Sequence, residues 1–299
     1  MATGNPTGTE MRGKRCLITG ATSGIGLETA RGLAARGADL VLVSRSLEKC
    51  QHVGEELKSI GQGTITHHAA DLADPRSIQQ LLKQIDGSYG QLDVLVNNAG
   101  AMYRTRQASP EGLELTWALN HLGYYRLTCS LLPLLSAAPS ARIVCVASDA
   151  HRAIWRGLNW DDLQFERSKY RSFRAYCQSK FANVLFTREL SKKLEGTTIT
   201  VNCLHPGFVA SNFFDWPGVS GVVTRGFAGV FAILPVQGAQ TSIYLASSPD
   251  VQNTTGGYFD RCKLTKPSPA ARDDSAAHRL WELSVQTTGL DAVLPTSRA

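Results

Sequence analysis

Features that would assign this chain to several other protein classes are missing from its sequence. Charged residues make up only 19% of the 299 residues against 43% hydrophobic ones, a balance that excludes an intrinsically disordered chain. Lys and Arg outnumber Asp and Glu by 31 to 25, but they are scattered and form none of the basic blocks of nucleic-acid-binding proteins. The sequence therefore predicts a globular protein with a sizeable core and no nucleic-acid partner.

The N-terminal region also lacks any apolar run. Residues 1–15 are rich in Gly, Thr and basic side chains, unlike a signal peptide or a membrane anchor. Seven cysteines occur without C-x-x-C spacing and several lie in apolar segments, so we expect reduced, buried thiols. We predict a cytoplasmic protein without a metal site.

What the sequence does contain is an alternation of apolar, strand-like runs with amphipathic helical stretches. Strands rich in Val, Ile and Leu are typical of sheets buried on both faces, and parallel strands need crossover helices. We predict an α/β fold with a Rossmann-type doubly wound parallel β-sheet, flanked by helices on both faces, in a single domain. The predicted strands are Cys16–Thr19, Leu40–Ser44, Thr64–Ala69, Leu92–Asn97, Ile143–Ala147, Ile199–Leu204 and Tyr258–Asp260.

The folded domain is predicted to span residues 13–290, between flexible ends at 1–12 and 291–299. Two segments break the alternation, 150–175 after the fifth strand and 208–235 after the sixth. Because open α/β sheets bind ligands at the carboxyl ends of their strands, we expect both segments to form walls of a substrate site.

Aromatic residues are dense in these two segments and predict an apolar pocket, although core packing is the alternative for about half of them. They are Trp155, Trp160, Phe165, Phe173, Phe208, Phe213, Phe214, Trp216, Phe227 and Phe231. The apolar stretch 226–235 is too short to span a membrane, and it favours either a lid or contact with a membrane surface. A helical pattern at Ala276–Val285 predicts a packed closing helix.

A glycine-rich turn follows the first predicted strand and leads into a helix. Its spacing is G-x-x-x-G-x-G, and glycines there allow a pyrophosphate to approach the backbone N–H groups at the positive end of the helix dipole. A tight strand-to-helix connection without a ligand is the alternative. The predicted cofactor contacts in this turn are Gly20, Thr22, Ser23, Gly24, Ile25 and Gly26.

The second strand ends in Ser44-Arg45, where an NAD-binding protein would carry an acidic residue for the ribose 2′-hydroxyl. Arg45 instead offers a planar cation that suits a 2′-phosphate, which favours NADP(H) over an ordinary exposed charge. Lys49 is a second candidate for the same phosphate. Asp71-Leu72 closes the third strand, where the carboxylate would accept from the adenine amino group.

The fourth strand ends in Asn97-Asn98-Ala99-Gly100. Asn side chains at this place tie adjacent strands together, and small residues leave room for a cofactor. We predict that Asn98, Ala99 and Gly100 contact the cofactor.

Tyr176 and Lys180 stand four residues apart at the start of a predicted helix, so both side chains lie on one helical face. A phenol with a pKa of about 10 is a slow proton source at pH 7 unless a neighbouring cation stabilises the phenolate. This spacing alone is common on solvated helices. Ser148 at the end of the fifth strand would hydrogen-bond a substrate carbonyl, and the Asn120 amide would hold a water beside Lys180.

In this order the motifs closely resemble the short-chain dehydrogenase/reductase family over about residues 13–290. Within the family the chain looks most like the retinol-dehydrogenase branch. The motifs that carry this second resemblance are Tyr-Cys-Gln-Ser-Lys-Phe-Ala-Asn from Tyr176, His205-Pro206-Gly207, Gln237-Gly238-Ala239-Gln240-Thr241 and Leu280-Trp281-Glu282.

The resemblance implies a tetrad of Asn120, Ser148, Tyr176 and Lys180 acting on alcohols, aldehydes or ketones with NADP(H). It further implies that Tyr176, Lys180, Pro206, Gly207 and Val209 contact the cofactor, and that copies associate through the helices carrying Asn120 and Tyr176. Two departures stand out. Ser148 and Tyr176 are 28 positions apart, wider than in many members, and Ala147 stands where the branch often has a second Ser.

The sequence thus predicts an NADP(H)-dependent oxidoreductase that interconverts a carbonyl and an alcohol on a bulky, lipophilic, retinal-like substrate, with Tyr176 as general acid/base. One alternative is a double-bond reductase related to the protochlorophyllide reductases, which product analysis would distinguish. Another is a non-catalytic NADP-binding interaction protein, which would have no need of Tyr176 and Lys180 together.

Overall fold

The protein is described by a computed structural model that covers residues 10–208 and 233–291. Eight strands form one sheet in the order β3-β2-β1-β4-β5-β6-β7-β8. The strands are β1 Arg15–Thr19, β2 Asp39–Ser44, β3 Ile65–Ala69, β4 Val94–Asn97, β5 Ala141–Val146, β6 Ile199–His205, β7 Tyr258–Asp260 and β8 Lys263–Thr265. Neighbours from β3 to β7 all pair in parallel.

Helices cover both faces of this sheet, so the predicted single-domain doubly wound fold is confirmed. They are α1 Gly24–Ala34, α2 Leu47–Lys58, α3 Pro75–Ile85, α4 Gly123–Ala137, α5 Ser172–Lys193, α6 Pro235–Ser247 and α7 Asp274–Thr288. One core cluster packs α3, α4, α5 and α7 against the sheet, and the other packs α1, α2 and α6 on the opposite face. The apolar, β-branched strands are buried between these two layers.

The sequence prediction missed strand β8. Its three residues are all exposed and pair antiparallel with β7 at the edge of the sheet. The turn between the two strands places Arg261 and Cys262 at positive φ, 49° and 61°. A three-residue exposed edge strand has no apolar pattern from which the sequence could predict it. Because β8 pairs antiparallel with β7, the sheet is mixed at this one edge.

The N-terminal boundary also needs correction. Met11 lies in the segment predicted to be flexible, yet its side chain is buried in the second core cluster and its N–H donates to the Arg36 carbonyl at 2.9 Å. Val209 and most of the segment 208–235 lie outside the described residues, as do 1–9 and 292–299.

Six of the seven cysteines are buried and all seven are free thiols, as predicted, while Cys262 is partly exposed. The predicted closing helix is confirmed as α7, which packs on α5. Trp281 is buried there, stacked on Phe186 with ring centroids 6.0 Å apart and edge-on to Tyr125 at 5.0 Å. No helix within the described ranges is long and apolar enough to cross a membrane.

The strand order reverses at β1, which has β2 on one side and β4 on the other. Connections from the two sides diverge there and leave a crevice outside the carboxyl ends of the strands, the usual ligand site of such sheets. The predicted site residues come after each of the strands β1 to β6, so the topology brings them to the carboxyl ends of the strands.

Candidate active site

The glycine turn after β1 is too crowded for side chains. Gly20 has a φ of +66°, and a Cβ on it would lie 2.9 Å from Asn98 Nδ2. A Cβ on Gly26 would lie 2.2 Å from the Gly20 carbonyl oxygen, so the first turn of α1 can pack onto the loop only with glycine here. The turn thus exposes backbone to the crevice.

Helix α1 begins at this turn with its N-terminal N–H groups available. Ser23 is the N-cap residue in extended conformation, and its side chain makes no capping hydrogen bond. The first turn carries no acidic side chain that would neutralise the positive end of the helix dipole. Together these features make a phosphate-binding end of the helix.

Thr19 and Asn98 lock the ends of β1 and β4 together. The buried Thr19 hydroxyl accepts from the N–H groups of Asn98 at 2.9 Å and Ala99 at 3.0 Å, and Asn98 Nδ2 donates to the Thr19 carbonyl at 2.8 Å. The sequence analysis missed Thr19. The available signal was a polar residue at the end of an apolar strand, directly before the glycine turn.

A cavity of about 120 Å³ opens beside the turn. Its lining includes the predicted residues Gly20, Arg45, Leu72, Ala99 and Gly100. Arg45 follows β2 directly and is exposed.

Lys49 and Asp71 were also predicted to contact the cofactor, but neither is among the described residues that line this cavity. The Lys49 side chain is exposed on α2. One carboxylate oxygen of Asp71 accepts from the Ala73 N–H at 2.9 Å, so the residue also shapes its own turn.

Tyr176, Ser148 and Lys180 come together between α5 and the end of β5. The Ser148 hydroxyl is hydrogen-bonded to Tyr176, and the Lys180 ammonium donates to the Val146 carbonyl at 2.7 Å. Lys180 Nζ lies 5.7 Å from the centre of the Tyr176 ring. Residues predicted from two separate places in the sequence, Ser148 after β5 and the Tyr176–Lys180 pair on α5, therefore form one cluster.

Burial sets the charges of this cluster. It raises the pKa of Tyr176 to about 12, although the Ser148 hydrogen bond acts in the opposite direction. Burial also lowers the pKa of Lys180 to about 7, because an ammonium is costly to desolvate. Near neutral pH the phenol is protonated and Lys180 is close to its titration midpoint.

Asn120 lies in a π-helical turn, Ala118–Leu122, which precedes α4. Its Oδ1 accepts from the Ala101 N–H at 2.9 Å, and its Nδ2 donates to the Ala101 carbonyl at 3.0 Å and to Ser179 Oγ at 2.9 Å. The sequence analysis expected this amide to hold a water. In the structure it joins the loop after β4 to α5, because the π-helical turn aims it at those groups. The water beside Lys180 stays a prediction of the sequence.

Gly100 stands where this amide meets Lys180. A Cβ on Gly100 would lie 3.2 Å from Asn120 Oδ1 and 3.6 Å from Lys180 Nζ. A side chain at position 100 would therefore crowd both Asn120 and Lys180, and glycine leaves this space open.

His151 was not singled out from the sequence, yet it supports Ser148 directly. It is fully buried, and its Nδ1 lies 2.7 Å from the Ser148 carbonyl oxygen while its Nε2 lies 3.0 Å from the Ser268 nitrogen. A carbonyl only accepts and an amide N–H only donates, so Nδ1 carries the proton and Nε2 is bare. Burial lowers the pKa of His151, in agreement with this neutral tautomer.

The end of β6 completes the edge. The Asp149 N–H donates to His205 Nδ1 at 3.2 Å, which ties β6 to the loop that carries Ser148. Gly207 has a φ of +87°, and a Cβ on it would lie 2.4 Å from Ile233 Cδ1. Pro206 and Gly207 directly follow β6, and their contact with the cofactor stays a prediction of the sequence.

Five of the ten aromatic residues named in the sequence analysis lie within the described ranges, and they fall into two groups. Trp155, Phe173 and Phe208 are exposed large hydrophobic side chains, 66%, 59% and 49% accessible. Phe165 is buried and Trp160 packs against the core. Only the first group is available as a substrate wall.

Comparison with known proteins gives a consistent picture. A family model described as short chain dehydrogenase matches residues 14–159 and 165–215. Human Retinol dehydrogenase 13 is 37% identical over 96% of this chain and 88% of its own length. Human Retinol dehydrogenase 14 is 39% identical over 94% and 88%, and Dehydrogenase/reductase SDR family member 13 of Bos taurus is 40% identical over 94% and 74%.

Solved structures agree with the fold. A crystal structure of an uncharacterized protein from Mycobacterium Paratuberculosis has 30% identity and a TM-score of 0.75, with 95% of this chain and 96% of that one covered. L-Sorbose reductase from Gluconobacter frateurii, complexed with NADPH and L-sorbose, has 25% identity and a TM-score of 0.69 over 85% and 96%.

Replacing His151 by Phe should leave the Ser268 N–H unpaired in the interior and remove one of the two donors to the Ser148 carbonyl, which keeps only the backbone N–H of residue 151 at 3.1 Å. Each lost partner costs roughly 1–3 kcal/mol, so we expect a clear fall in the urea-measured free energy of unfolding. His151→Asn keeps an N–H donor near the Ser148 carbonyl and should fall less. Equal stability of the Phe variant and the unaltered protein would contradict this role.

Proposed function

Since this chain belongs to the short-chain dehydrogenase/reductase family, in its retinol-dehydrogenase-like branch, we propose that it is an NADP(H)-dependent oxidoreductase that interconverts a carbonyl and an alcohol on a bulky lipophilic substrate. The observation that carries the proposal is the cluster of Ser148, Tyr176 and Lys180 beside the glycine turn. Retinal-like aldehydes are the first substrates to test, because the relatives are named for retinol.

The residues present fit a nicotinamide dinucleotide. The crowded glycines and the uncapped start of α1 suit the pyrophosphate, and Arg45 suits an adenosine 2′-phosphate. Ala99, Gly100, Tyr176 and Lys180 would border the nicotinamide half. When bound, this group supplies or accepts the hydride at the substrate carbon.

Tyr176 handles the proton in this proposal. During reduction its hydroxyl protonates the substrate oxygen, and the resulting phenolate is stabilised by the Lys180 ammonium. During oxidation the same oxygen takes the proton from the alcohol. The raised pKa of Tyr176 keeps the phenol protonated at neutral pH, which is the form that donates the proton during reduction.

Ser148 and Asn120 position the reacting groups. The Ser148 hydroxyl bonds Tyr176 and would share the substrate oxygen with it, which orients the carbonyl for attack. Asn120 fixes the loop after β4 against Ser179, one residue before Lys180. His151 in turn holds the carbonyl group of Ser148.

Three accessible aromatic side chains, Trp155, Phe173 and Phe208, support an apolar substrate. The cytoplasmic location, the association of copies and the contact of 226–235 with a membrane surface stay predictions of the sequence.

Tyr176→Phe should lower kcat for aldehyde reduction by at least about 100-fold, because general acid–base help is worth about 10²–10⁴. NADPH binding should change little. Turnover is followed by NADPH absorbance with retinal, long-chain aldehydes, steroids and quinones.

Tyr89→Phe is the matched control, since its ring lies under Arg15, the first residue of β1, at the end of that strand away from the glycine turn. Turnover of the Tyr176 variant within about twofold of the unaltered enzyme would rule out Tyr176 as the proton donor.

The rate of reduction should depend on the charge of Lys180. Its pKa is lowered to about 7, so the ammonium is present below that pH and is lost as the pH rises through it. We expect kcat for NADPH-dependent reduction to be level at acid pH and to decline above neutrality. A pH-independent reduction rate between 6 and 9 would contradict the assignment.

Arg45→Gln should raise the KM for NADPH by about 10- to 100-fold, since a hydrogen bond to a charged group contributes about 1.5–3 kcal/mol. The KM for NADH should stay nearly unchanged because NADH lacks the 2′-phosphate. Lys49→Gln reports separately on the second predicted cation. An equal effect of Arg45→Gln on both cofactors would show that Arg45 does not read the phosphate.

A further inference from the structure

A second cavity, of about 390 Å³, lies between the loop after Ser148 and the first turns of α5. We call it the arginine pocket. Its lining includes Ile154, Trp155, Arg156, Phe173, Arg174 and Cys177. This volume is within the range of small-molecule sites, and the walls combine apolar and aromatic groups with two guanidinium groups.

The two arginines are exposed and carry positive charge that no carboxylate of the described residues neutralises through a salt bridge. The pocket lining contains no carboxylate, and within the described ranges no salt bridge engages Arg156 or Arg174. The Arg156 guanidinium lies 4.3 Å above the Trp155 ring, which holds it at the rim. By contrast, Arg152 in the same loop is paired with Asp149 at 2.8 Å.

Both walls of the arginine pocket are formed by segments that also carry the proposed catalytic residues, Tyr176 on α5 and Ser148 before the short helix. Phe173 precedes Tyr176 by three residues on α5, so the two rings lie on neighbouring positions of one helical face, about 4.5 Å apart along the axis. Ile154 follows directly on the short helix Asp149–Ala153, which begins at Ser148. A chain-like substrate with its carbonyl at Ser148 and Tyr176 would therefore place its far end near the pocket.

We propose that the arginine pocket binds an anionic group at the far end of the substrate, so that the enzyme acts on amphipathic aldehydes or ketones with an apolar chain and a terminal carboxylate or phosphate. This inference rests on the proposed function and narrows its substrate class. Trp155, Phe173 and Ile154 contact the chain, and Arg156 and Arg174 form charge-assisted hydrogen bonds with the anion.

The test compares 12-oxododecanoate with its methyl ester, which share the aldehyde and the chain but differ in charge. The acid should have a KM about tenfold lower than the ester. The double variant Arg156→Gln/Arg174→Gln should raise the KM of the acid about tenfold and leave that of the ester within twofold. Arg167→Gln removes an exposed arginine of the same loop that does not line the pocket, and it should change neither.

Equal KM values for acid and ester in the unaltered enzyme would overturn the proposal, as would equal losses for both in the double variant.

Calorimetry with decanoate, decyl phosphate and decan-1-ol measures binding without turnover and shows which anion is preferred. Failure to reduce either aldehyde would refute the proposed function, whereas tight binding of the anions but not the alcohol would still support the pocket. Loss of binding to vesicles containing phosphatidylserine in the double variant, with no preference for the acid, would assign the arginines to a lipid surface and overturn the substrate role.

Discussion

The burial of the Lys180 side chain is the constraint on which the rest of the site depends. An ammonium removed from water needs fixed partners, and Lys180 has the Val146 carbonyl at 2.7 Å together with the rings of Tyr124 and Tyr176 at 5.8 and 5.7 Å. These contacts fix α5 against the end of β5. They hold the phenol of Tyr176 beside Ser148, at the one edge where the sheet opens.

Hydrogen bonds of neighbouring polar side chains hold the segments at the carboxyl ends of the strands in fixed positions. Thr19 and Asn98 close the gap between β1 and β4, Asn120 ties the following loop to α5, and His151 holds the backbone of Ser148. Each of these side chains uses its hydrogen bonds on backbone or on another fixed group. The site is therefore preorganised by the fold before a ligand arrives.

The sequence predicted the parts of the structure that depend on local patterns. The apolar content of the buried parallel strands predicted their positions, and the four-residue spacing of Tyr176 and Lys180 predicted that both lie on one helical face. It could not predict β8, whose three exposed residues are held by pairing with β7 alone. His151 and Thr19 were also missed, because their partners lie 117 and 79 residues away in the chain. The π-helical turn at Asn120 is likewise set by tertiary contacts, which no helical periodicity encodes.

Helix α7 shows how a distant segment takes part in the site. The Trp281 ring stacks on Phe186 of α5 and packs edge-on to Tyr125 of α4. Ser284 Oγ lies 2.9 Å from Nε2 of the buried His121, the residue next to Asn120 in the π-helical turn. Because His121 sits in the same turn, its bond to α7 restrains the backbone that aims the Asn120 amide at Ala101 and Ser179. The C-terminal helix thus stabilises the geometry around Lys180 from outside the crevice, without contributing a group to it.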